Sequence, residues 1–253
     1  MAEPLAALLW DVDGTLAETE LDGHRLAFNA AFEEQGLPWR WDGPIYRRLL
    51  AISGGRERLS AFLAQAEGEP PDPERVAVLQ RCKQLHYGAL LQRGELPLRP
   101  GVARLVREAQ QAGLRQGIVT TSGRPAVAAL AAGALADLAD AFSFWICGDD
   151  VRAKKPDPEA YRLAILNLGL PAGQVLAIED SPQGFAAATA AGLDTLVTLS
   201  CTTADQPLER FAGARAVLDG LGDPGRPADL LAGVPCPEGQ VTLSYLQRLR
   251  GDV

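Results

Sequence analysis

The run Leu8-Leu9-Trp10-Asp11-Val12-Asp13-Gly14-Thr15-Leu16 sets two carboxylates one residue apart at the end of an apolar segment. Further along stand Thr120 and Ser122, Lys155 directly before Pro156, and the acidic pair Glu179-Asp180, again after an apolar run. Paired carboxylates repel and are costly to desolvate, so such pairs are expected where a cation, or a proton on one of them, separates their states. A hard divalent cation such as Mg²⁺ takes oxygen ligands, which Asp11, Asp180 and a backbone carbonyl near Asp13 would supply together with water. Lys155 as a point charge and the hydroxyls of Thr120 and Ser122 suit the other oxygens of a phosphate. Asp11 is then a candidate nucleophile towards phosphorus, and Asp13 a candidate acid for the leaving alcohol and base for the attacking water. That double role predicts a pKa for Asp13 above that of Asp11. The plainer readings are an Asp-Gly turn with solvated charges, a strand-end hydroxyl at Thr120 and a turn-forming Ser122. Pro156 stiffens the loop and favours a fixed Lys155, while Lys154 is read as solvent-facing.

These groups need a scaffold that brings them together. The unbroken apolar run before Asp11 suits a strand buried on both faces, as in a parallel sheet. From residue 95 onward helices alternate with strands: Pro100 to Ala112 helical, Leu114 to Thr121 extended, a helix from Pro125, a strand near Phe142 to Cys147, a helix Pro158 to Leu168, a strand Gln174 to Glu179, a helix Gln183 to Ala191 and a strand Thr195 to Leu199. That rhythm predicts an α/β fold with a doubly wound, mostly parallel, Rossmann-like sheet whose ligands gather at the carboxyl ends of its strands. No Gly-x-Gly-x-x-Gly follows the first strand, which argues against dinucleotide binding. Residues 17–94 show helical spacing only, at Thr19 to Gln35, Pro44 to Leu50, Arg56 to Ala66 and Pro73 to Leu91, and are read as an all-helical cap inserted after the first strand. The expected organisation is a core of residues 1–16 and 95–219, a cap of residues 17–94, and an extension of residues 220–253 with no assigned role.

The 253 residues carry 24 Lys plus Arg against 32 Asp plus Glu, a net charge of −8, which disfavours nucleic acid or an anionic membrane as a partner. No obligate protein partner is predicted. The four cysteines, Cys82, Cys147, Cys201 and Cys236, show no metal-type pairing or small-domain disulfide spacing, so they are expected reduced in a cytoplasmic protein.

Inside the cap a polar set, Glu20, His24, Tyr46, Arg47, Gly54, Gly55 and Arg56, interrupts the apolar positions. Arg56 follows two glycines at an apparent helix start, where backbone N–H groups favour an anion, so a second phosphate would dock there. The alternative is that Arg47, Arg48, Arg56 and Arg58 are solvated helix faces and His24 a partly buried helix residue.

In order along the chain, Asp11-Val12-Asp13-Gly14-Thr15, Thr120, Lys155-Pro156 and Glu179-Asp180 resemble the four motifs of the haloacid dehalogenase-like hydrolases, Mg²⁺-dependent aspartyl-phosphate enzymes, over nearly all of residues 5–215. The resemblance implies Asp11 as nucleophile, Asp13 as acid/base, Thr120 and Lys155 as phosphate ligands, and a Mg²⁺ site of Asp11, Asp13 and Asp180 supported by Glu179. Glu18-Thr19-Glu20, His24 to Asn29, Trp39 to Asp42, Tyr46 and Ser53 to Arg58 are similar to the CbbY group, whose members dephosphorylate xylulose-1,5-bisphosphate, a misfire product and inhibitor of Rubisco. This implies a phosphorylated sugar as partner and Glu20, His24, Tyr46, Arg47, Gly54, Gly55 and Arg56 as its cap ligands. Arg56 stands where the group commonly has lysine, and residues 220–253 fall outside its pattern. Other outcomes of the same motifs are a mutase like β-phosphoglucomutase, a phosphatase of other small monoesters, and a non-catalytic phosphosugar-binding protein.

Overall fold

In the computed structural model, which describes residues 4–250, all four side chains of β1 (Ala7–Trp10) are buried. Successive side chains point to opposite faces: Leu8 and Trp10 enter one hydrophobic cluster, Ala7 and Leu9 another. β1 therefore has helices on both sides, and its register is fixed by burial twice over.

Six further strands complete one sheet: β2 (Arg115–Val119), β3 (Phe144–Ile146), β4 (Val175–Glu179), β5 (Asp194–Thr198), β6 (Ala216–Leu218) and β7 (Leu230–Gly233), in the spatial order β3-β2-β1-β4-β5-β6-β7. All neighbours are parallel except β6 and β7. The chain leaves β1 for β2 on one side and later reaches β4 on the other. This is the switch point where a crevice opens at the carboxyl edge, and Asp11 follows β1 while Asp180 follows β4 there. One buried polar link crosses the sheet: Trp10 Nε1 donates to Gln116 Oε1 (3.0 Å), whose amide donates to Val106 O (3.0 Å).

Between β1 and β2 the chain is helical: a wide π-type turn over Glu20–His24, then α1 (Arg25–Glu34), α2 (Gly43–Leu49), α3 (Gly55–Glu67) and α4 (Pro73–Gln92). Asp42 and Asp72 cap α2 and α4, and a proline follows each cap closely. Phe28, Phe32, Trp41, Leu59, Leu63 and Leu79 form a separate cap core. Two linker segments join cap to sheet, bridged antiparallel at Ala17 and Leu98.

The remaining helices are α5 (Val102–Gln111), α6 (Arg124–Ala132), α7 (Glu159–Leu168), α8 (Pro182–Ala190) and α9 (Leu243–Arg248). α5, α6 and α9 cover the Trp10 face, and α7 and α8 the Leu9 face. Sequence reading stops at five strands; β6 and β7 are three and four residues long, too short for a period to register. Residues 220–250 are not a detached tail: Leu221, Val241, Tyr245, Leu246 and Leu249 are buried in the main cluster, and Arg104 binds the carbonyls of Leu221, Gly222 and Val241. Among the described residues no helix is long and apolar enough to cross a membrane, and all four cysteines are free thiols.

Candidate active site

At the sheet's carboxyl edge Lys155 Nζ lies 2.6 Å from both Asp11 Oδ1 and Glu179 Oε1 and donates to Val119 O at 2.8 Å. Tyr161 also donates to Glu179 Oε1. Lys155, Glu179, Asp180 and Asp11 are all buried. The Asp11 and Glu179 charges outweigh the cost of burial on Lys155 and keep it charged at any physiological pH. Asp180 is pushed up to about 8: burial raises it most, a Ser200 hydrogen bond opposes, and the Glu179 charge adds to the rise. Gly14 turns the chain beneath this cluster with φ +89°, and a Cβ there would sit 2.2 Å from Asp180 Oδ2. No side-chain residue fits that close approach.

Ligand oxygens of Asp11, Glu179 and Asp180 lie within 4.8 Å of one another, an all-oxygen donor set with excess negative charge that fits Mg²⁺. Glu179 differs from the other two. One of its oxygens is engaged by Lys155 and Tyr161 and the other faces Gly184 without a hydrogen-bond partner, so its geometry orients Lys155 first. The Asp13 side chain turns away from the cluster toward the cap, leaving only its backbone for a metal.

Asp13 reverses the expectation about its pKa. Burial alone would raise it, but the His24 charge and hydrogen bonds from His24 (2.9 Å), Ser122 (2.5 Å) and Thr19 hold it well below the usual carboxylate range. Asp11 is the raised member, through burial, with Lys155 opposing and Glu179, Asp180 and Asp13 reinforcing. The cause is invisible in the local sequence: three donors converge on Asp13 from residues 6 to 109 positions away. Behind it, His24 Nδ1 lies 2.7 Å from Lys83 Nζ, and His24 stacks on Tyr87. One hydrogen lies between those nitrogens, so whichever holds it, Nε2 keeps its own and donates to Asp13.

A cleft of about 280 Å³ runs from this cluster into the cap, lined on the core side by Asp11, Lys155 and Asp180 and on the cap side by Glu20, Arg47, Arg48 and Arg58. Tyr46 is buried behind it, donating to Glu20 (2.6 Å) and accepting from Arg58 (2.7 Å). Arg47 donates to Cys201 O across the cleft. His24 and Gly55 line a smaller adjoining space with Ser122, and Thr120, whose hydroxyl accepts from Ser122 N–H, sits just below the cleft wall formed by Thr121.

Two sequence expectations change here. Arg56 is exposed and lines a cavity outside this cleft with Gly55 and Lys154, whereas Arg58 is buried and reaches in. Two residues along a helix is a rotation of about 200°, so α3 presents Arg58 where Arg56 was expected. Lys154 is not solvent-facing: it pairs with Glu57 at 2.7 Å, joining cap to core, with 19% of its side chain exposed. Gly54, φ +89°, leaves room for that bridge, since a Cβ would meet Glu57 Oε2 at 2.2 Å. Lys83 and Thr121 escaped the sequence reading, which took Arg58 only as a solvated helix face. For Lys83 a signal existed, because it falls on the buried stripe of Leu79 and Tyr87 along α4.

Stability should report the uncompensated carboxylates. Asp180 binds its proton more tightly folded than unfolded, so between its ordinary value of 3.8 and about 8 the folded state holds more protons and stability falls as pH rises. Chelator-treated protein is expected to lose melting temperature from about pH 5 to about pH 8, a decline that Mg²⁺ suppresses and Asp180→Asn flattens. An equal slope in Asp180→Asn would exclude this cause.

The fold and this cluster define the class: a doubly wound α/β phosphohydrolase with a helical cap. The family model for haloacid dehalogenase-like hydrolases matches residues 5–192, and the chain belongs to that family. It is 42% identical over 227 residues to protein CbbY of Cereibacter sphaeroides, covering 89% of this chain and 96% of that protein. It is 32% identical over 202 residues to phosphoglycolate phosphatase of Salmonella typhimurium, covering 74% and 79%. A CbbY variant from Rhodobacter sphaeroides, crystallised in complex with xylulose-1,5-bisphosphate, superposes with a TM-score of 0.79 at 41% identity, covering 85% of this chain and 94% of that one.

Proposed function

We propose that this phosphatase removes one phosphate from a sugar bisphosphate, xylulose-1,5-bisphosphate giving xylulose-5-phosphate, through an aspartyl-phosphate on Asp11. The supporting observation is the single cleft with two cationic ends, Lys155 beside Asp11 in the core and Arg47, Arg48 and Arg58 in the cap. A substrate with a phosphate at each end matches that pattern, and the similarity to a protein crystallised with such a sugar agrees with it. Mg²⁺ held by Asp11, Asp180 and the Asp13 backbone would neutralise charge on the transferring phosphate. Lys155 holds that phosphate against Asp11, whose carboxylate attacks phosphorus as the bond to the sugar oxygen breaks; that oxygen leaves as an alcohol, taking a proton that Asp13 relays from solvent. Asp13, ionised and fixed by His24, Ser122 and Thr19, is ready to take the proton of the water that opens the acyl phosphate. Glu20 accepts from sugar hydroxyls while Tyr46 holds it in place.

Phosphate release with Mg²⁺ from xylulose-1,5-bisphosphate, ribulose-1,5-bisphosphate, xylulose-5-phosphate and β-glucose-1-phosphate tests the reading. A strong preference for the first supports it; activity confined to monophosphates, or an isomerised monophosphate without free phosphate, refutes it. The same assay separates the two arginines. Loss of a charge-assisted contact costs about 1.5–3 kcal/mol, so Arg58→Ala is expected to raise KM for the bisphosphate about 10- to 100-fold, with Arg56→Ala near the intact value. Equal effects at the two positions would remove Arg58 from substrate binding.

A further inference from the structure

Helices α1 and α4 pack together, and beyond the cleft their contact brings three potential ligand side chains together. Glu34 is the last residue of α1, and Cys82 and His86 lie one turn apart on α4, so both face α1. His86 Nε2 is 2.8 Å from Glu34 Oε2, and the carboxylate oxygen, thiol sulfur and imidazole nitrogen all lie within 4.8 Å of one another. None of the three lines the active-site cleft. The cysteine is 5% exposed, whereas the Glu34 and His86 side chains are 54% and 35% exposed, so the group has a closed sulfur floor and an open mouth.

We infer that Glu34, Cys82 and His86 form a second metal site, on the outer face of the cap, for a borderline-soft divalent cation of the Zn²⁺ type. Sulfur, nitrogen and oxygen donors together suit such an ion, with water as the fourth ligand, and do not suit Mg²⁺, which holds to oxygen and gives up its waters reluctantly. A tetrahedral ion with bonds of roughly 2.0–2.3 Å keeps its ligand atoms roughly 3.3–3.8 Å apart. From within 4.8 Å of one another, the three ligand atoms would close to that spread by side-chain rotation. Binding replaces the His86–Glu34 hydrogen bond, the proton on Nε2 of the neutral ring moving to Nδ1 by exchange with solvent, and the Cys82 thiol releases its proton to solvent, one proton per ion. The ion then ties the end of α1 to the middle of α4, whose next residue, Lys83, turns inward to His24. Spacing among the cysteines could not show this site, because the partners of Cys82 are a histidine four residues on and a glutamate from another helix.

Co²⁺ serves as the probe, added in one equivalent to the full-length protein stripped with a chelator and returned to saturating Mg²⁺. The expected result is a near-ultraviolet thiolate-to-cobalt band with visible bands of tetrahedral intensity, both erased by one equivalent of Zn²⁺. The charge-transfer band is lost in Cys82→Ser and persists in Cys201→Ser and Cys236→Ser. His86→Ala, at a half-buried ring, weakens binding without touching the buried floor, and Mg²⁺-supported phosphatase activity shows that each variant is folded. Absence of the band in the intact protein, or its survival in Cys82→Ser, overturns the site. Co²⁺ at the all-oxygen catalytic cluster gives no thiolate band, so failure here and failure of the proposed reaction are read separately.

Discussion

Asp11→Asn is expected to abolish turnover, by about 10⁴-fold or more, while leaving the protein folded. The amide keeps the shape of the carboxyl group but cannot attack phosphorus or offer a second anionic oxygen to Mg²⁺. The fold should tolerate it because Asp11 is already pushed toward its neutral form by burial and by the Glu179, Asp180 and Asp13 charges. Lys155 retains Glu179 Oε1 and Val119 O, so it is not left buried without partners. Two measurements separate loss of the nucleophile from general damage. Rapid quench with substrate labelled at the transferred phosphate should trap label on the intact protein and none on the variant. The variant should still bind the bisphosphate, because the cap arginines are untouched. Turnover within about tenfold of the intact enzyme would take Asp11 out of the reaction.

Arg99→Ala is expected to cost about 3–5 kcal/mol of stability and to raise the Mg²⁺ concentration needed for half-maximal activity. The guanidinium is buried at the hinge and donates to the carbonyls of Gly14, Thr198 (3.0 Å), Leu199 (2.6 Å) and Asp219 (3.0 Å), while Nε pairs with Glu18 at 3.1 Å. Three chain segments thus place four carbonyls on one planar donor, and alanine would leave those carbonyls in a space too dry to solvate them. Two of those segments bear on the carboxylate cluster that would hold Mg²⁺. Gly14 packs against Asp180, and Thr198-Leu199 leads into Ser200, which hydrogen-bonds Asp180. Urea denaturation gives the stability term and a Mg²⁺ titration of activity gives the positioning term. Arg99→Lys, with a single charged tip, should recover part of the stability and little of the Mg²⁺ affinity. A loss under about 1 kcal/mol with an unchanged Mg²⁺ requirement would show that Arg99 only fills space.

Much of this was legible in the chain. Hydrophobic period separated the helical insertion from the α/β part, since α1, α3 and α4 are long enough to display an apolar stripe. Short strands of the sheet's far edge were not, because three or four residues carry no period and their partners lie elsewhere in the chain. The acid pairs at the ends of β1 and β4 could be found from sequence because a buried strand that ends in charge needs a cause.

The sequence by itself determined which atoms are present at the strand ends, carboxylates at Asp11, Asp13 and Asp180 and an ammonium at Lys155, because residue type and position after an apolar run are local properties. Tertiary structure alone decided how those atoms are set. It made Asp13 the readily ionised carboxylate, chose Arg58 over Arg56 for the cleft, turned Lys154 into a cap-to-core tie, and drew residues 220–250 into the main core. Each of these depends on groups tens to more than a hundred residues apart meeting in a dry, close-packed space. Electrostatic and hydrogen-bond energies there are governed by distance and desolvation, and the order of residues along the chain specifies neither.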